Sequence, residues 1–275
     1  MIGAPLSPPG DELLDHPDAD PEAVATSLRH IAVANRWFGG WWAVRRGLAV
    51  VTRRLGDRAP LGSASARPGR EGVLQGGSTT ERPSGAQQRD PGARESLSTA
   101  RRLLVLDVGC GMGDLAARAA TWGARRGLEI QPIGLERHRT AAALSRRQGV
   151  AMLLGCASAL PIRDKAVDIV IASQLIHHLS PDRIMAFCRE ADRIARLGVV
   201  IADLRRSRHA IAGFWLGSRL FGFDANTRRD GLTSVRRGFS TRELGTLLAQ
   251  AGIRAKVEQS PGFRLVATWT PEHRA

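Results

Sequence analysis

Tyrosine is absent from this chain, and lysine nearly so: 40 basic residues include only Lys165 and Lys256 as lysines. A surface selected to hold nucleic acid recruits lysine as well as arginine, so this bias argues for codon usage, and the net charge of +14 is no signature of nucleic-acid recognition. Cysteine is sparse and odd in number (Cys110, Cys156, Cys188), with no CxxC spacing. That excludes a disulfide framework and a zinc-ribbon site, and no metal is expected. No run approaches the roughly 18 uncharged apolar residues of a membrane span. The first thirty residues hold six acids and one arginine, the reverse of a secretory leader, so a cytoplasmic setting is expected.

What is present is a 275-residue chain with 43% hydrophobic residues, enough apolar surface to offset the entropy of ordering a core. Its length suits one domain with additions. Residues 57–100 break the pattern, with seven glycines, four prolines and few large apolar side chains. That composition predicts a disordered insertion between an N-terminal helical cap (1–56) and a main domain (101–275). Within the cap, helix is expected on either side of Gly39-Gly40. Trp41, Val44, Leu48, Val51 and Leu55 recur at helical steps beside arginines and no acid. Such an Arg/Trp-rich helix suits peripheral contact with an anionic membrane, but a short stripe with a soluble partner at hand favours packing on the main domain.

Beyond residue 100, short apolar strands alternate with helices. Strands are expected at 102–108, 130–136, 150–154, 167–172 and 197–204, with helices at 114–126, 140–148 and 182–195. Two further helices, at about 209–220 and 241–251, and strands at 254–259 and 263–269 complete the chain. Near-continuous apolar strands imply a parallel α/β sheet covered on both faces.

Where the first strand meets its helix stands Leu106-Asp107-Val108-Gly109-Cys110-Gly111-Met112-Gly113-Asp114. A dinucleotide fingerprint needs a third glycine where Asp114 stands, which disfavours a nicotinamide oxidoreductase. Asp107 would repel a pyrophosphate but suits a cationic ligand with an amino-acid tail. Glu136 ends the second strand, where a carboxylate accepts both hydroxyls of a ribose. With Asp168-Ile169-Val170-Ile171-Ala172-Ser173 and Gln174-Leu175-Ile176-His177-His178-Leu179 following in order, the chain resembles the class I S-adenosylmethionine-dependent methyltransferases.

The resemblance implies a Rossmann-like, seven-stranded, mostly parallel sheet with helices on both faces. It sets S-adenosyl-L-methionine against Asp107, Gly109, Cys110, Gly111 and Gly113, then Glu136 and Arg137, Ala157 and Ser158, and Ser173. Relatives carry an aspartate near the adenine where Cys156 stands here; one lost acceptor is worth about 0.5–1.5 kcal/mol. Leu14-Asp15-His16-Pro17, Asn35-Arg36-Trp37-Phe38-Gly39-Gly40 and the stretch 230–239 are similar to a branch near the ubiquinone/menaquinone and type III polyketide-associated methyltransferases. That implies secondary metabolism and a lipophilic, aromatic acceptor: phenolic, quinol or polyketide-like.

Methyl transfer is an in-line displacement in which the protein supplies orientation and a path for the acceptor's proton. A base beside a phenol contributes about 10²–10⁴-fold, and His177 or His178 is the candidate. Trp37, Arg205, Trp215 and Arg236 are the candidate acceptor contacts. A nucleic-acid (RNA) methyltransferase is the competing reading, without the NPPY-type or paired-cysteine motifs of base methylation. A non-catalytic module that binds S-adenosylmethionine is the other, motivated by Cys156.

Overall fold

The computed structural model describes residues 12–16, 18–56 and 100–272. The expected disordered insertion, apart from Ala100, lies outside the described residues.

Seven strands form one sheet: β1 Arg101–Val108, β2 Leu128–Glu136, β3 Ala151–Leu154, β4 Val167–Ser173, β5 Ala195–Leu204, β6 Lys256–Ser260 and β7 Arg264–Trp269. Their order is β3-β2-β1-β4-β5-β7-β6, parallel except that β7 runs antiparallel to both neighbours. Helices α1 (Pro21–Trp37) and α2 (Gly40–Gly56) precede the sheet. The others are α3 (Asp114–Ala124), α4 (Arg139–Arg147), α5 (Pro181–Ile194), α6 (Arg208–Leu220), α7 (Ala225–Arg237) and α8 (Thr241–Gln250).

The two-residue repeat of the strands sorts their side chains between two layers. Leu103 and Val105 of β1, Ile169 and Ile171 of β4, and Val200 and Ala202 of β5 face α2 and α3. Leu106 and Val108, Val170 and Ala172, and Val199 and Ile201 face α5 and α8. Burial on both faces is why these strands read as unbroken apolar runs.

Helix α2 is part of this core. Val44, Leu48 and Val51 are buried among the strands, so the stripe that suited a membrane is spent on the sheet. Glycines let the backbones close: a Cβ on Gly47 of α2 would lie 2.2 Å from Val200, and one on Gly198 of β5 would lie 2.4 Å from Val51.

Helix α7 went unforeseen, because Leu232 and Val235 are its only large apolar residues and Gly231 interrupts it. Asp224 caps it by accepting from Thr227 N at 2.9 Å. Gly231 is where Phe214 of α6 crosses, and a Cβ there would meet the ring at 2.1 Å.

Candidate active site

Strand order reverses between β1 and β4, whose carboxyl ends open side by side; open α/β sheets bind ligands at such a switch point. A cavity of about 250 Å³ occupies this position. Gly109, Gly111 and Gly113 line or turn the loop beneath it, all with positive φ (69°, 55° and 80°). Side chains are disfavoured there by conformation and, at two positions, by space. A Cβ on Gly109 would sit 2.8 Å from Leu175, and one on Gly113 would sit 2.4 Å from Ser145 Oγ. Gly113 therefore turns the chain into α3 and packs on α4, while Gly109 and Gly111 face the cavity.

Three carboxylates converge on this loop. Asp107 is buried, and burial together with the charges of Asp114 and Glu136 pushes its carboxyl up to about 8, with no hydrogen bond to offset them. Burial also raises Asp114, opposed by Asn35, whose Nδ2 donates to both carboxylate oxygens at 3.4 and 3.2 Å. Glu136 accepts from the backbone N–H groups of Gly111 (3.0 Å), Arg137 (2.7 Å) and His138 (3.0 Å). Among the groups bearing on Asp107 there is no cation. Buried Ser173 Oγ and both ring nitrogens of His138 have no protein partner. Such a donor and acceptor set fits a ligand that carries positive charge and hydroxyls.

Cys110, Ala157 and Cys156 also line the cavity. Cys110 is buried, which pushes its thiol up, and lies 3.8 Å from Ser145 Oγ. The exposed Cys156 thiol is lowered by the backbone and hydroxyl of Ser158, its partner at 3.7 Å. Ser158 does not line the cavity itself.

At the other end stand His177 and His178, on a single 3₁₀ turn after β4 (Ile176–His178). His177 Nδ1 lies 2.7 Å from Asp203 Oδ1, and both groups are almost wholly inaccessible. Asp203 also accepts from Ile176 N (3.0 Å) and Leu204 N (2.7 Å). Burial would raise its carboxyl, but the histidines and these donors hold it below the usual range. An ionised Asp203 makes Nδ1 the protonated nitrogen and leaves the lone pair on Nε2, which has no protein partner. The His178 ring lies tilted against that of His177, centroids 4.2 Å apart, and 3.5 Å from Asp15. Burial acts to raise Asp15, yet its bond to His178 brings it down to about 2.

Glu12, Leu14 and Asp15 line the cavity, and residues 12–16 are latched to distant elements. Arg237 Nη1 donates to Glu12 Oε1 at 2.7 Å, and Ser234 Oγ to Glu12 Oε2 at 2.8 Å. Leu13 N donates to Asp230 at 2.9 Å, and Arg137 reaches Leu14 O (2.9 Å) and Asp15 (3.3 Å). Arg137 thus borders the cavity but spends its guanidinium on this strap.

The four acceptor candidates fall outside the cavity. Trp37 and Trp215 are exposed, Arg236 faces water, and Arg205 bonds Gln259 in a shallow cleft shared with Arg206. Helix phase is the reason for two of them: Phe214 and Arg237, one residue away on α6 and α7, turn inward instead. Sequence reasoning also missed Asp203, Asp230 and Arg264, the last buried at the cavity wall and lowered to about 10 by that burial, against the pull of Asp203. Asp203 had a signal, an acid closing an otherwise apolar strand. Arg264 had none among so many arginines.

Residues 105–198 match the family model described as a methyltransferase domain. Among solved structures, a SAM-dependent methyltransferase from Aquifex aeolicus is 18% identical, covering 64% of this chain and 86% of its own, with a TM-score of 0.45. A SAM-dependent methyltransferase from Thermotoga maritima is 22% identical, covering 62% and 83%, at 0.45. The magnesium protoporphyrin IX methyltransferase of Synechocystis, with SAM bound, is 13% identical, covering 64% and 72%, at 0.40. Among the described residues, no group of three or more His, Cys, Asp or Glu is arranged to hold a metal ion, and no helix is long and apolar enough to cross a membrane.

Proposed function

Residues 105–198 match a methyltransferase-domain model, and we propose that the chain is a class I S-adenosylmethionine-dependent methyltransferase that methylates a lipophilic, aromatic small molecule bearing an acidic hydroxyl or carbon. S-adenosyl-L-methionine, the cofactor of this domain, supplies an activated methyl group. Gly109 and Gly111 allow its close approach, and the carboxylates of Asp107 and Glu136 suit its charge and hydroxyls. Ala157 offers backbone groups to the base, in place of the carboxylate that Cys156 lacks. The 3₁₀ turn carrying the histidines borders the same cavity, and Phe214 and Phe223 form an apolar wall suited to an aromatic ring. His177 Nε2 takes the acceptor's proton while Asp203 holds the imidazole and balances the charge that forms.

The observation that carries this reading is the buried His177–Asp203 pair beside the cavity that holds the glycine loop. Titration calorimetry with S-adenosylmethionine, followed by turnover over phenols, quinols and polyketide-like aromatics, is the test. Binding in the micromolar range and methylation that His177→Asn lowers about 10²-fold are expected. No cofactor binding at millimolar concentration would sink the reading. Binding without turnover on any acceptor would leave only the non-catalytic module.

A further inference from the structure

The large apolar side chains left in water are not scattered. Of the eight exposed ones among the described residues, Leu153 and Leu154 lie on edge strand β3, and the other six are Trp37, Trp42, Trp215, Leu216, Leu220 and Phe221. These six belong to the corner between α1 and α2 and to the end of α6. Contacts join the two parts: the rings of Trp37 and Phe221 are 6.1 Å apart, and those of Phe38 and Phe221 5.5 Å. Gly217 of α6 makes room for the corner, since a Cβ there would lie 2.6 Å from Phe38. Ala210, Gly217 and Ser218 turn inward, so Trp215, Leu216, Arg219 and Leu220 form the outward half of α6. Leu220 is 76% exposed. A contiguous face of this kind marks a surface meant to be covered.

We infer that this face docks on an anionic phospholipid bilayer. Charge decides among the occupants. Arg36 and Arg219, both exposed, stand among these aromatics, whereas Arg46 and Arg206 in the neighbouring stretches are already paired with Glu258 and Glu243. Two copies meeting through this face would bring like charges together, whereas anionic headgroups neutralise them. The arginines lie beside the aromatics: the Arg36 guanidinium is 5.3 Å from the Trp37 ring centroid, and Arg219 is 3.9 Å from that of Trp215. Arginine at headgroup level with tryptophan, leucine and phenylalanine beneath it is the composition of a membrane-interface surface.

The face is also continuous with the active site. Phe38 touches Phe214 and Phe223 at 6.1 and 6.2 Å, and both of those rings line the cavity. An acceptor dissolved in the bilayer then meets an apolar path to the cavity wall. The inference rests on the reading that the acceptor is lipophilic. It does not use the α2 stripe, which is buried on the sheet.

Co-sedimentation of the full chain with phosphatidylcholine vesicles, with and without about 30% phosphatidylglycerol, tests it. The protein is expected to sediment with the anionic vesicles only, and to be released by added salt. Leu220→Glu, and the double variant with Leu216→Glu, should weaken that binding by ~10-fold or more. Both side chains face water, so circular dichroism and cofactor affinity should not change. Absence of wild-type binding, or equal binding by Leu220→Glu, would overturn the inference. So would a wild-type dimer that Leu220→Glu dissolves, which would make the face a self-interface. Intact vesicle binding with methylation confined to water-soluble acceptors would uphold docking and refute the acceptor reading instead.

Discussion

His177 and Asp203 are 26 residues apart in sequence and make one chemical unit. An ionised, fully buried Asp203 assigns the proton to Nδ1, and in the proposed reaction Nε2 is the base. Asparagine at 203 keeps the shape but presents either an oxygen or an amide, which releases the tautomer. Asp203→Asn is therefore expected to lower kcat by about 10²-fold with the acceptor KM little changed. A variant with kcat unchanged and KM raised would make Asp203 a packing residue only.

At the scale of elements, the decisive packing is α2 against β5. Gly47 and Gly198 are smooth where Val200 and Val51 press, so two backbones approach more closely than side chains normally allow. Gly47→Ala forces a Cβ into Val200 and is expected to cost about 1–3 kcal/mol, despite alanine's better helix propensity. An alanine at the exposed Gly127 meets no neighbour and serves as the space control, its positive φ being its only strain. Denaturant unfolding of the two variants measures the difference, and equal stability would deny the close approach. Elements α6 and α7 show how phase governs a site. The residues one position along each helix turn inward instead: Phe214 lines the cavity, and Arg237 is buried against Glu12.

For the whole molecule, the acidic loop makes stability and binding depend on pH in a defined direction. Asp107 is held at about 8 against an unfolded value near 3.8. A carboxyl raised by folding favours the native state fully below about pH 4, and that contribution is lost as pH rises towards 8. Asp203, held low, acts in the opposite sense and loses its contribution only below the ordinary carboxylate range. The free protein should therefore melt at a lower temperature at pH 8 than at pH 6, and Asp107→Asn should remove most of that difference. A cationic cofactor favours the charged carboxylate, so its binding should release up to one proton near neutral pH. Calorimetry in two buffers of different ionisation enthalpy reads that proton directly. An enthalpy independent of buffer would rule out this coupling.

The sheet, its strand boundaries within one to three residues, and the glycine loop were legible in sequence, because each depends on local pattern. Buried parallel strands must be apolar runs, and a turn with positive φ must be glycine. The methyltransferase resemblance followed from motifs of that local kind. Helix α7, the strap at residues 12–16, the Asp203–His177 pair and the exposed aromatic corner were not legible. Each depends on which face of one element meets another, and no short window of sequence carries that phase. The α2 stripe makes the contrast plain: its pattern specified an amphipathic helix, but only its place on the sheet decided that protein, not lipid, covers it. What lipid can still reach is the face that packing left outside, where arginine and tryptophan meet without a single acid among their neighbours in sequence.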